Sequence, residues 1–327
     1  MAEFRTFTAI GQREDLSNTI YNIAPTETPV VSSIGKTKAT AVFHEWQTDD
    51  LAAASAAGLK EGDAAGGASD TPTVRVGNRT QIQGKTIHIS GTLDAVDKAG
   101  RKTETAYQLA KAGQELKRDM EKTIMGNQIA VTGTASAARL LASIQTWLLT
   151  NYSSIATGAT AAAPTNGNGT VARTPSSAAQ ATVAFTEGAL KSTVKSCFEN
   201  GGNPTMLVVS PFLKQVVSGF AGIAAQRYEA PTNGSQTTIM GAADVYLSDF
   251  GTLSVVPDRF LTADHAGTGD QAFVLDPTML SIATLRPFQS NLLAKDGDSE
   301  KHQMLSEYTL QVSNQKAHGI VADIKNT

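Results

Sequence analysis

A single cysteine, Cys197, stands in 327 residues. One thiol excludes an intramolecular disulfide framework and a cysteine-rich zinc site. Its helical spacing from Leu190 and Val194 makes it a small core residue rather than a nucleophile. Charge is sparse as well: 17% of the residues are charged, with a net balance of −3. Such a chain has no general electrostatic attraction for nucleic acid, whose binders are basic. No apolar run reaches the roughly 18 residues of a membrane span. The opening stretch MAEFRTFTAIGQREDL lacks the basic start and apolar block of a secretory signal. The expectation is a chain made and kept in a cytosol-like compartment unless something larger carries it out, with no membrane partner.

Signatures of chemistry are missing too. Gly84-Lys85-Thr86 resembles the end of a phosphate-binding loop, but the position five before Gly84, where the cradle needs glycine, is Arg79. The acids of Asp296-Gly297-Asp298-Ser299-Glu300 lack the regular ligand ladder and closing glutamate of a calcium loop, so they read as a turn. His44, His88, His265, His302 and His318 include no pair at metal-ligand spacing on one helix. His44 and His88 instead suit a cross-strand pair. There is no Gly-x-Ser-x-Gly elbow and no dinucleotide fingerprint. The expectation is a protein that is not an enzyme, with no catalytic residue, cofactor or metal. A hydrolase with an unrecognised site in the central region is the alternative from a different class.

What is present is an ordered set of parts. Thr103–Met125 has helical periodicity, with Ala106, Leu109, Ala110, Gly113, Leu116, Met120 and Ile124 on one arc and Lys117 interrupting it. Lys111–Glu115, Glu115–Arg118, Lys117–Glu121 and Asp119–Lys122 are spaced to pair along its surface, and Gly126-Asn127 is a stop. Before it, residues 1–37 have little to bury and read as an arm, with a short helix over 15–23 and an extended Thr28-Pro29-Val30-Val31. Ala41–Thr48 and Thr73–Ser90 are β-rich runs separated by about twenty residues of mainly Ala, Gly and acids, a hairpin whose tip has no core of its own and should project. On that hairpin Glu45 and Asp49 oppose Arg75 and Arg79, with Trp46 beside them. The surface reads either as cross-strand solubilising pairs or as a docking surface, for which Glu45, Trp46, Asp49, Arg75 and Arg79 are the candidate contacts with an identical neighbour.

After the long helix, Ala137–Leu149 reads as a second apolar helix, and 151–180 as a Ser/Thr/Ala/Gly linker. Thr186 caps a helix to about Asn200, Met206–Val209 is a buried strand, and Ser210-Pro211 opens another helix. Ala221–Gly241 reads as a loop, and Val245–Ser248, Leu253–Val256 and Ala272–Leu275 as strands. Met279–Leu285, Phe288–Ala294, Lys301–Val312 and Gly319–Ile324 return as strands to cover the long helix.

This order resembles the tailed-bacteriophage major capsid proteins of the Hong Kong 97 type. Thr28-Pro29-Val30, His44-Glu45-Trp46-Gln47-Thr48-Asp49, Ala99-Gly100-Arg101, Ala106-Tyr107-Gln108 and Glu115–Glu121 are similar to one branch of phage head proteins. So are Gly297-Asp298-Ser299, Glu307-Tyr308-Thr309-Leu310 and Ala317-His318-Gly319. The resemblance implies an α+β fold with an N-terminal arm (1–37), an extended β-hairpin loop (38–90), a spine helix, second helix and linker (91–181), an axial domain (182–278) and returning strands that complete the peripheral domain (279–327). It further implies self-assembly through hexamers and pentamers into an icosahedral head with double-stranded DNA as non-specific content, and it leaves open whether portal, scaffolding or decoration proteins or a maturation protease take part. The location implied is the virion, after assembly in the host bacterial cytoplasm. The stretch ahead of the loop is too short for a fused scaffold. A cellular nanocompartment of the same fold is the structural alternative.

Overall fold

The computed structural model describes residues 17–325 except 57, 59, 63, 65–69, 156–161, 176–182, 221–243 and 262–269. The expected loop 221–241 lies outside the described residues, as do parts of the hairpin tip and linker. Residues 17–26 carry no helix, and Tyr21 and Ile23 are exposed. The expected extended stretch at 28–31 is instead helix α1 (Pro29–Ser33). Proline restrains only the residue before it; at the first helical position its fixed φ and missing N–H favour helix. Strand β1 (Gly35–Lys38) follows.

The hairpin consists of β2 (Phe43–Thr48) and β3 (Val74–Arg79), paired antiparallel with His44 opposite Asn78. The run that reads as one strand to Ser90 breaks at Thr80, and β4 (Gln81–Ser90) joins a different sheet. His88 therefore pairs with Lys301 and never meets His44. Helix α2 (Gly91–Ala95) is short, and its Asp94 accepts from the Glu104 N–H at 2.9 Å, opening helix α3 (Glu104–Met125).

The buried row of α3 is Ala112, Leu116, Met120 and Ile124, joined by Glu121 and Met125. It is rotated from the expected arc, since Ala106, Ala110 and Lys117 are exposed. A wheel scores alanine as apolar, but its small side chain gains little from burial and does not fix the face. Lys111 meets Glu115 at 4.0 Å as expected; Asp119 also reaches across to Lys85 at 3.2 Å, and Glu121 is turned inward, away from the expected surface pairing with Lys117.

Ala137–Leu149 is not an α-helix. An isolated bridge joins Leu140 to Val131, and only Ile144–Thr146 turns, as a 3₁₀ helix. Every residue from 141 to 148 is buried, so the segment has no wet face to alternate with a dry one. Its polar members are satisfied inside: Gln145 donates to the Met125 carbonyl at 2.9 Å and Thr146 to the Ser143 carbonyl at 2.7 Å.

The central unit contains β5 (Tyr152–Ser154), α4 (Glu187–Glu199), β6 (Met206–Val209), α5 (Pro211–Ser218), β7 (Val245–Ser248), β8 (Gly251–Pro257) and β9 (Asp270–Leu275). Thr186 and Ser210 cap their helices as expected, accepting from the Ala189 and Leu213 amides. Then come β10 (Leu280–Leu292), β11 (Ser299–Val312) and β12 (Gly319–Ile324). The break expected around residue 286 is a pair of register shifts within one strand, beside Pro287.

One sheet has the order β1-β10-β11-β4 and carries α3; the other has the order β5-β12-β9-β6-β8-β7. The returning strands are therefore divided between the sheets, β10 and β11 in the first and β12 in the second. Hydrophobic partition explains this, because all six residues of β12 are buried and need a sheet covered on both faces. Gly319 lets α4 settle on β12: a Cβ there would stand 2.5 Å from Thr193 Cγ2 and 3.0 Å from Cys197 Sγ. Burial pushes the Cys197 thiol up to about 12. A maleimide should therefore leave it unmodified in the native chain and label it after denaturation; rapid native labelling would show that this packing opens.

A buried ion pair ties the linker to the central sheet. Arg173 donates to Asp323 Oδ1 at 2.8 Å and to Gln145 at 3.2 Å, while Tyr152 and Ser154 donate to Asp323 Oδ2. Asp323 lies at φ 61, in the left-handed region, where the register between β12 and β9 shifts. Aspartate tolerates that region better than most residues.

Candidate assembly interface

Period-2 alternation sorts the hairpin into two faces. His44, Trp46 and Thr48 point toward the body, while Phe43, Glu45 and Gln47 point away. The outward face also holds Arg75 and Arg79, opposite Gln47 and Phe43. Arg75 forms a forked pair with Glu45, one arm at 2.6 Å, and Arg79 lies over the Phe43 ring at 5.0 Å. The Glu45 carboxylate raises the Arg75 guanidinium above its ordinary value. Gly77 permits the close approach, since a Cβ there would lie 2.8 Å from the Glu45 Cγ and the His44 carbonyl.

Trp46, expected beside these charges, is on the opposite face. Its ring lies 5.4 Å from that of Trp147 and packs against the subunit's own core. His44 Nε2 is 3.0 Å from Gln311. The strand alternation separates Trp46 from Glu45, and that signal was available in the sequence. Asp49 lies where the tip begins and accepts from the Asp50 N–H at 3.0 Å; Asp50 pairs with Lys316 at 2.7 Å. Beyond it Leu51 is 98% exposed, so the tip departs from the body immediately.

The root of the hairpin is held by residues that no motif marks. Asn78 is fully buried and donates to the Ala142 and Leu310 carbonyls at 3.0 and 2.8 Å while accepting from the Ala142 amide. Glu307, also buried, accepts from Thr80 and Arg286 at 2.8 Å each and pairs with Arg139. A lone asparagine in a strand gives no sequence signal of this kind; it is recognised only when its partners, 64 and 232 residues away, come together.

A second free surface lies on β10. β1 pairs with it only over Ser281–Thr284, so among the described residues the edge beyond is unpaired, with Phe288 and Leu292 exposed. A third junction lies under the N-terminal segment. Glu121 accepts from the Val30 and Val31 amides at 2.8 Å, and Glu27 reaches Arg259 at 3.5 Å. The charged and apolar surfaces suit contact with another macromolecule. Among the described residues, no group of three or more His, Cys, Asp or Glu side chains could hold a metal, and no helix is long and apolar enough to cross a membrane.

Solved structures share this architecture. The chain is similar to that of Microbacterium phage Oxtober96, with a TM-score of 0.61, 11% identity and 98% and 99% of the two chains covered. It is similar also to the capsid of a native GTA particle, with a TM-score of 0.60, 12% identity and 97% of each chain. For Mycobacterium phage Adephagia the TM-score is 0.59, with 12% identity and 98% of each chain. At these identities the likeness shows the fold, an α+β capsid fold of the Hong Kong 97 type. A curated relative, the major capsid protein of Escherichia phage Phieco32, is 36% identical over 126 residues, which are 38% of this chain and 36% of that protein's length. The profile of the SU10 major capsid protein matches residues 3–325, nearly the whole sequence. The chain belongs to the SU10 major capsid protein family.

Proposed function

We propose that copies of this chain assemble through hexamers and pentamers into a closed icosahedral shell around packaged double-stranded DNA. The observation that carries this reading, beside family membership, is a hairpin whose root is buried and hydrogen-bonded while every described residue of its tip between 51 and 70 is exposed. Such a tip gains burial only against a neighbour, and many modest contacts add up in a closed assembly. The outward Glu45, Arg75 and Arg79, with Asp49 at the tip, are the proposed contacts between subunits, and Trp46 anchors the same hairpin to its own body. The free edge of β10 is a further place for a second copy. Residues 38–90 then reach over a neighbour, α3 is the spine of the peripheral domain, and the six-stranded sheet with α4 and α5 is the axial domain, with β12 included. A net charge of −3 suits DNA that is contained rather than gripped. Portal, scaffolding and decoration proteins are proposed partners, and the host bacterial cytoplasm is the proposed site of assembly.

Negative-stain microscopy of the expressed chain tests the reading, with closed or partial shells expected. A compact monomer at every concentration, and no shells in cell lysates, would sink it. Particles filled with a protein cargo instead of DNA would favour a nanocompartment. Replacing residues 51–70 with a short Gly-Ser turn should leave the melting temperature of unassembled chain within a few degrees and abolish closed shells; shells of normal yield would remove the tip from the interface.

A further inference from the structure

The chain passes between its two sheets at a pair of neighbouring crossovers. Residues 276–279 lead from β9 in the six-stranded sheet to β10 in the four-stranded one, and residues 313–318 lead back from β11 to β12. Two hydrogen bonds tie the crossovers together. The Ser313 N–H donates to the Met279 carbonyl at 2.9 Å, and the Asp276 N–H donates to Nδ1 of His318 at 3.1 Å. The His318 ring is fully buried, and its Nε2 has no hydrogen-bond partner. A backbone donor at Nδ1 requires a lone pair there, so the ring is neutral and carries its proton on Nε2. The polar groups packed around the ring are committed elsewhere. Lys316 turns out to Asp50 at 2.7 Å, Asp323 further along β12 is paired with Arg173, and Cys197 on α4 is a buried thiol held neutral. Asp276 commits Oδ1 to the Thr278 N–H and hydroxyl, at 3.0 and 2.7 Å. Asn151 is uncharged and donates to the Lys316 and His318 carbonyls.

We propose that His318 is an acid-responsive latch on the junction between the two sheets: neutral, it holds the crossovers together, and on gaining a proton at Nδ1 it releases residues 276–279 from 313–318. The geometry sets the mechanism. A proton on Nδ1 would point at the Asp276 N–H, turning the acceptor into a second donor, and would place a cation in a fully buried position. Burial, opposed by the Asp276 charge and the backbone at Met279, accordingly lowers the imidazole to about 4 from the ordinary 6.5. The open junction therefore binds the proton more tightly than the closed one. Closure is at full strength above 6.5, weakens as pH falls through the window, and levels off below about 4. Between pH 7 and pH 5 this corresponds to a loss of about twentyfold in the closing equilibrium. The latch lies within one chain and does not depend on the shell.

Hydrogen–deuterium exchange on the full, unassembled chain, corrected for the intrinsic rate at each pH, reads the latch at the Asp276 and Ser313 amides. Their protection should fall about twentyfold from pH 7 to pH 5. H318N keeps an acceptor oxygen for the Asp276 amide and cannot titrate, so its protection should hold steady. If H318N fails to fold, nitrogen NMR of the wild-type ring provides the second test, with Nδ1 bare at pH 7 and titration near 4. Equal protection at the two pH values in the wild type, a step of the same size in H318N, a proton on Nδ1 at pH 7, or titration near 6.5 would each overturn the proposal.

Discussion

Replacing Arg173 with alanine is expected to lower the stability of the unassembled chain by about 3–5 kcal/mol, as for other buried ion pairs that lose one partner. Asp323 would be left charged at 0% exposure without its guanidinium partner, while the Tyr152 and Ser154 hydroxyls still donate to it. Gln145 would lose a donor at the same time. The attraction itself is not what makes the cost large; the orphaned carboxylate is. Replacing both partners, as R173M with D323N, should therefore recover much of the loss, because asparagine keeps the left-handed backbone and carries no charge. Urea denaturation of the three chains gives the comparison. A change below about 1 kcal/mol in R173A would mean that water reaches the pair in solution.

Trp147→Ala is expected to cost a similar amount, about 3–5 kcal/mol, through the cavity left by a side chain that is 1% exposed. Its consequence differs in kind. Trp147 is the surface on which Trp46 rests, so the variant should also lose exchange protection along β2 and β3. Trp46→Ala, at a half-buried position, should cost less, and a double-mutant cycle should yield about 0.5–1.5 kcal/mol of coupling between the rings. Strictly additive effects would show that the tryptophans anchor independently. Shell yield in Trp46→Ala then reports how far a loose root weakens the projecting tip.

Much of this architecture is legible in residue order. The coreless tip, the long helix, the caps at Thr186 and Ser210 and the strands of the central sheet follow from local pattern, because each depends on neighbours within a few positions. What is not legible depends on distant partners. Ala137–Leu149 has the apolar content of a helix, yet burial on all sides removes the amphipathic logic that would make it one. Thr80 splits an apparently continuous strand because its hydroxyl and carbonyl are claimed by Glu307 and Arg139. Glu121 reads as a surface partner of Lys117, since nothing in a helical wheel distinguishes a solvated glutamate from one that captures amides of a remote segment. Of the five candidate contact residues, Glu45, Arg75 and Arg79 share the outward face and Asp49 begins the tip. Trp46 stands apart through the side-chain alternation of a strand.

The position of β12 has a consequence for synthesis. It is inserted between β5 and β9, pairing Ile320 with both Tyr152 and Phe273. A nascent chain that has not yet released these residues from the ribosome lacks an interior strand of its central sheet, however much of the hairpin and spine helix has emerged. The edges of β5 and β9 stay open until that strand arrives, and this non-local pairing is intrinsically slow. A polypeptide that stops short of residue 319 therefore cannot complete this sheet.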